Sequence, residues 1–242
     1  MQDFFVIVFL IFVGQTLGAL IGLVKKPSKS FLYYSLAFAG AMMIGISIFE
    51  LIPEALETAP YYYALIGFLI GVLAIIAIDR TLPHINPQLG KKEKPNIERS
   101  VTMLVTGIAL HNIPEGLAIG IGYALDPALG LLIAVGIAMQ DIPENIATIV
   151  PLYAITGKKM KSFAILVGTV LFEVFGFVLG CFLLCDMPSS VLSIALGTAA
   201  GIMLYISFEE LLPAAELREN PYKKAATLLL GLVLVALMIM LF

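Results

Sequence analysis

What this 242-residue chain has least of is charge and the residues that build soluble active sites: 13% of it is charged, two residues are Cys, two are His and none is Trp, against 60% hydrophobic. With a mean hydropathy of +1.03, the shortage of charge excludes a soluble protein, because so apolar a chain has too little polar material to face water. The shortage of cysteine excludes a disulfide framework. Cys181 and Cys185 stand four apart on one expected helix, a spacing that serves packing better than a bridge. The N-terminus, Met1-Gln2-Asp3, lacks the positive segment of a secretory signal, and no small-residue cleavage site follows it, so the first apolar run is expected to remain as a true span. The net charge of -3 says little about partners; the placement of the charges says more.

What is present is a series of apolar runs. Stretches of about 20 such residues, long enough to cross roughly 30 Å of hydrocarbon, fall near 4–24, 31–53, 61–78, 101–125, 131–155, 163–184, 191–212 and 226–242. The expected fold is therefore all-α, one polytopic membrane domain of eight transmembrane helices over residues 1–242. The one longer connection, 80–100, reads as a flexible cytoplasmic linker rich in Pro, Lys and Glu, with His84 a solvated loop residue.

Orientation follows from the basic residues. Lys25, Lys26 and Lys29 lie in the first connection, and Arg80, Lys91, Lys92, Lys94 and Arg99 in or beside the third. Lys158, Lys159 and Lys161 lie in the fifth, and Arg218, Lys223 and Lys224 in the seventh. These are all 14 Lys and Arg of the chain, and eight crossings put every one on the same side. The positive-inside rule then places these connections in the cytoplasm of a cell with the protein in its plasma or inner membrane, both termini outside.

The sequence also repeats itself. A shift of 160 lays Met43 on Met203, Ser47 on Ser207, Glu50 on Glu210, Pro53 on Pro213 and Gly71 on Gly231. Spans two and three thus resemble spans seven and eight, crossing in opposite directions, the inverted repeat of transporters that alternate access around a central site. A shift of 29 lays His111-Asn112-Ile113-Pro114-Glu115 on Gln140-Asp141-Ile142-Pro143-Glu144.

That second repeat carries the chemistry. At 1.5 Å per residue, His111, Gln140 and Glu173 reach about mid-membrane on spans four, five and six. Spacings of three and four residues put His111, Asn112 and Glu115 on one helical face, and Gln140, Asp141 and Glu144 on another; Met43 lies at similar depth on span two. Burying Glu115, Asp141, Glu144 and Glu173 costs about 2.5 to 3.5 kcal/mol each, on the order of 10 kcal/mol together. No Lys or Arg stands inside any span to offset it. Bound cations or protons must do so, and imidazole, carboxylate, amide and thioether donors suit borderline divalent ions: Zn2+, and also Cd2+, Fe2+ or Mn2+. Pro114 and Pro143 each precede a Glu and withdraw an amide donor, so Leu110 and Met139 are expected to offer carbonyl oxygens beside the site. Gln15 is the only strongly polar residue inside span one. Glu50 and Glu54 at one end of span two, and Glu209 and Glu210 at one end of span seven, read equally as ion-attracting groups or as interfacial acids in water.

These residues resemble the Zrt/Irt-like protein (ZIP) family of divalent metal transporters, in particular its GufA-like branch, over essentially the whole chain. The resemblance rests on eight spans, a longer third connection and the paired stretches at 111–116 and 140–144. It implies a binuclear centre, with Met43, His111, Glu115, Gln140 and Glu144 at one ion and Asn112, Glu115, Asp141, Glu144 and Glu173 at the other. It further implies that spans one, four, five and six shift as a unit against two, three, seven and eight, carrying metal inward, and that the protein forms a homodimer. Many relatives have His where Gln140 stands, Gly where Asn145 stands and a His-rich third connection, so metal choice is expected to be broader here. A proton-coupled transporter of an organic substrate would need cationic or aromatic recognition groups, and the spans hold no basic residue and no Trp. An intramembrane metal hydrolase would need a His-rich zinc site, and one mid-membrane His argues for a transporter and against an enzyme.

Overall fold

The computed structural model describes residues 2–24, 27–81, 97–184, 186–215 and 221–241. Span one is Gln2–Val24, span two Lys29–Thr58, span three Tyr61–Thr81, span four Ile97–Leu125 and span five Pro127–Thr156. Span six is formed by Lys159–Gly168 and Val170–Leu183, span seven is Ser189–Ala214 and span eight Pro221–Leu241. Seven of these are long and apolar enough to cross a membrane. Span four, at 29 residues, has the length, and its His-Asn and Pro-Glu pairs dilute its hydropathy. The chain is an all-α polytopic membrane protein. Most of the third connection, with His84, and also Cys185 lie outside the described residues; Cys181 is buried.

Three local features depart from uniform helices. Span six, expected as one run, breaks at Thr169. There Thr169 N–H bonds to Leu166 O at 3.1 Å, Phe172 N–H bonds to Thr169 O at 3.0 Å, and the Thr169 hydroxyl donates to Leu166 O at 2.6 Å. Asn112 Nδ2 of span four donates to the same Thr169 carbonyl at 3.1 Å. A threonine bonding back to its own helix, together with a foreign donor on the carbonyl ladder, is a known cause of a bend.

Spans two and seven each contain a π-helical turn, at Ser47–Leu51 and Ser207–Leu211, with Ile52 N–H reaching Ser47 O and Leu212 N–H reaching Ser207 O. The two turns stand 160 residues apart, so the repeat in sequence is also a repeat in backbone irregularity. Pro53 and Pro213 explain the position: each lacks the N–H that would bond four residues back, and a widened turn absorbs the loss.

The spans sort into two groups. Span one packs on span five and span four on span six, with four and five side by side; span three packs on span seven and span two on span eight. Inside the groups the backbones touch. A Cβ on Gly116 would collide with the Glu173 carbonyl, one on Gly120 with the Phe177 carbonyl, and Gly176 and Gly180 meet span four in the same way. This is small-residue packing, which compensates for the missing hydrophobic drive between helices in lipid. Between the groups, span two lies against span five and span seven against span four, and the approach to Gly136 is made by the side-chain ends of Ile46 and Met238.

Candidate metal centre

The centre forms where spans four, five and six meet. Pro114 and Pro143 sit inside helices that continue through them, which keeps the three- and four-residue spacings intact on both spans. Asn112, Glu115, Gln140, Asp141 and Glu173 are 4%, 1%, 0%, 3% and 0% exposed. One carboxylate oxygen from each of Glu115, Asp141 and Glu173 lies within 4.8 Å of the others. Gln140 Nε2 donates to Glu115 Oε1, joining spans five and four across the repeat. His111 Nδ1 is 3.9 Å from Glu144 Oε1. Asn112 commits its amide nitrogen to Thr169, so its carbonyl oxygen is the atom it can offer a ligand.

The hydrogen-bond inventory is as informative as the distances. Among the described residues, the buried side-chain nitrogen and oxygen atoms without a hydrogen-bond partner are His111 Nε2, Gln140 Oε1, Asp141 Oδ2, Glu144 Oε2 and Glu173 Oε1. All five belong to the paired stretches or to Glu173. Buried polar atoms are ordinarily paired, and leaving several unpaired in one place is costly. Imidazole, amide and carboxylate lone pairs of this kind are a donor set for borderline divalent cations.

Residues 90–239 match the family described as ZIP Zinc transporter. The chain is 37% identical over 215 residues to the zinc transporter ZupT of Salmonella arizonae, covering 85% of this chain and 82% of that protein. It is 38% identical over 211 residues to ZupT of Enterobacter sp. (strain 638), covering 83% and 81%. The chain belongs to the ZIP family. It is accordingly a membrane transporter and not an enzyme, and its family has zinc as the named cargo.

Of the eight candidate ligands in this ZIP chain, the structure brings Glu115, Asp141 and Glu173 together, joins Gln140 to Glu115, sets His111 beside Glu144 and holds Asn112 against the Thr169 carbonyl. The eighth, Met43, is fully buried in the main apolar core on span two, and its carbonyl accepts the Ser47 hydroxyl at 2.8 Å. Asn145 Nδ2 bonds back to Asp141 O at 2.9 Å. Its room comes from span one, because a Cβ on Gly18 would lie 2.7 Å from the Asn145 Cβ.

Sequence reading underrated two residues. Glu210, which the sequence offers equally as an ion-attracting group or an interfacial acid, brings Oε2 to 3.4 Å from His111 Nε2; its equivalence to Glu50 under the 160-residue shift is the available signal. Gln15 donates from Nε2 to Glu173 Oε2 at 2.8 Å; a lone amide in an apolar span has to find a polar partner, and that was its signal. Glu54 lines a cleft of about 600 Å³ with Glu57, Thr58, Asp126 and Ser189, at the membrane face bearing the second, fourth and sixth connections.

Proposed function

We propose that the protein carries zinc into the cytoplasm, with Cd2+, Fe2+ and Mn2+ as further cargo, through a mid-membrane centre of two ions bridged by Glu115 and Glu144. The observation that carries this reading is the set of buried donor atoms on Gln140, Asp141, Glu144 and Glu173 that lack a hydrogen-bond partner, with His111 Nε2 beside them facing the Glu210 carboxylate. A transported cation pairs them without any basic side chain, and exchangeable amide and thioether donors, Met43 included, let it leave again.

An orientation with the acidic cleft at Glu54 and Asp126 outside is supported by the placement of all 14 basic residues in four connections and the helix ends beside them, on one side; for inward transport that cleft is the side of entry. An elevator-type movement is supported by the packing. Backbone-close glycine contacts hold each group together, whereas side-chain ends of Ile46 and Met238 meet span five across the boundary. Interdigitated backbones resist sliding; flexible tips yield. The proline-relieved carbonyls of Leu110 and Met139 are further oxygens for an ion in passage. The protein acts in the plasma or inner membrane, termini outside, as a homodimer.

Zinc uptake into vesicles reconstituted with the purified protein tests the centre. Glu144→Ala is expected to lower uptake by about 10- to 100-fold or more, since even outer partners of metal ligands contribute on that scale. Undiminished flux in that variant would remove the cluster from the mechanism.

A further inference from the structure

Gln15 is 1% exposed in a span whose other interior residues give an amide nothing to bond. Burying it is costly unless its donor finds an acceptor, and the acceptor it finds is Glu173 Oε2 at 2.8 Å. Its own Oε1 lies 3.4 Å from the Thr169 hydroxyl, at the break in span six. Span one can come this close because its adjacent Gly14 has no side chain: a Cβ there would stand 2.8 Å from the Ala138 carbonyl and 3.0 Å from the Asp141 Cβ. The consequence falls on Glu173. An N–H directed at Oε2 occupies that oxygen, while Oε1 is buried without a partner.

We infer that Gln15 is a positioning residue for the transported metal: it occupies one oxygen of Glu173, so that the carboxylate ligates through Oε1 alone. The inference rests on the metal-centre reading above. It assigns span one, which contributes no ligand, a part in shaping the site, and it links spans one, four and six through Gln15, the Thr169 carbonyl and Asn112.

Zinc affinity of the purified full-length protein, measured by competition with a chelating dye, tests it alongside vesicle uptake. Gln15→Met keeps the bulk and removes the donor; Gln15→Asn keeps an amide but withdraws it by one methylene. Both are expected to weaken zinc binding about tenfold, the lower end for losing an outer-shell partner. In a Glu173→Ala background the same changes are expected to move affinity by less than about twofold, because a residue acting only through Glu173 has nothing left to position. A purely structural role would instead give equal losses with and without Glu173. Equal losses, or unchanged affinity in both single variants, would overturn the role of Gln15 while leaving the centre standing. Unchanged affinity in Glu173→Ala itself would overturn the centre, and the role of Gln15 with it.

Discussion

The two halves of the centre are built differently. Glu115, Asp141 and Glu173 are each at most 3% exposed, and all three stand on spans four, five and six, with Gln15 of span one behind them. Every member belongs to one helix group. Across the site, the side chains of His111 and Glu144 are each 11% exposed, and their neighbour Glu210, from span seven of the opposite group, is 42% exposed. A site enclosed within one group travels without changing its ligands. A site that straddles the boundary changes partners whenever the groups slide, so under the proposed movement the difference separates a holding half from an exchanging half.

The largest effect should come from the enclosed half. Glu115→Gln removes a negative charge that faces both Asp141 and Glu173 and leaves Gln140 Nε2 against another amide. Buried charge pairs broken on one side lose several kcal/mol, so zinc uptake is expected to fall by about 100-fold or more, with fewer ions bound per chain by metal analysis of the purified protein. His111→Gln removes one neutral nitrogen ligand from the half-open side and supplies an amide in its place, as Gln140 does in the repeat. The expected loss of zinc affinity is about tenfold, read by dye competition. If His111→Gln proves as damaging as Glu115→Gln, the division into two unequal halves fails.

The spans and the paired stretches, though not this division, are legible in the sequence. The apolar runs gave the spans, and the 29-residue shift brought out His111, Glu115, Asp141 and Glu144, because charges in hydrocarbon are rare enough to stand out. The 160-residue shift even foreshadowed the matched π turns, since Ser47 with Pro53 and Ser207 with Pro213 bring the same donor loss to the same place. Other features are less legible. Gly168-Thr169 is only a weak local signal of the break in span six, because the Asn112 donor on the Thr169 carbonyl arrives from another helix. Glu210 was only half legible: its equivalence to Glu50 under the 160-residue shift singles it out, but its place at a span end does not fix which neighbour it meets across the boundary. Periodicity reports which face a residue occupies, and only packing reports what that face touches.

Glu210 offers the smallest and most discriminating test. Its carboxylate reaches His111 at 3.4 Å, yet its side chain is 42% exposed, and a partly exposed pair contributes a few tenths to about 1 kcal/mol. Glu210→Gln keeps the shape and removes the charge, so equilibrium zinc affinity should change by about threefold at most. The groups are proposed to slide past one another during transport, so the larger consequence belongs to movement: His111 has to part from Glu210 as the ion is handed on. Uptake velocity at saturating zinc is therefore expected to change more than affinity does, whereas Glu115→Gln and His111→Gln act chiefly on affinity. An affinity loss in Glu210→Gln matching that of His111→Gln would place Glu210 among the holding ligands and erase the boundary drawn through the site.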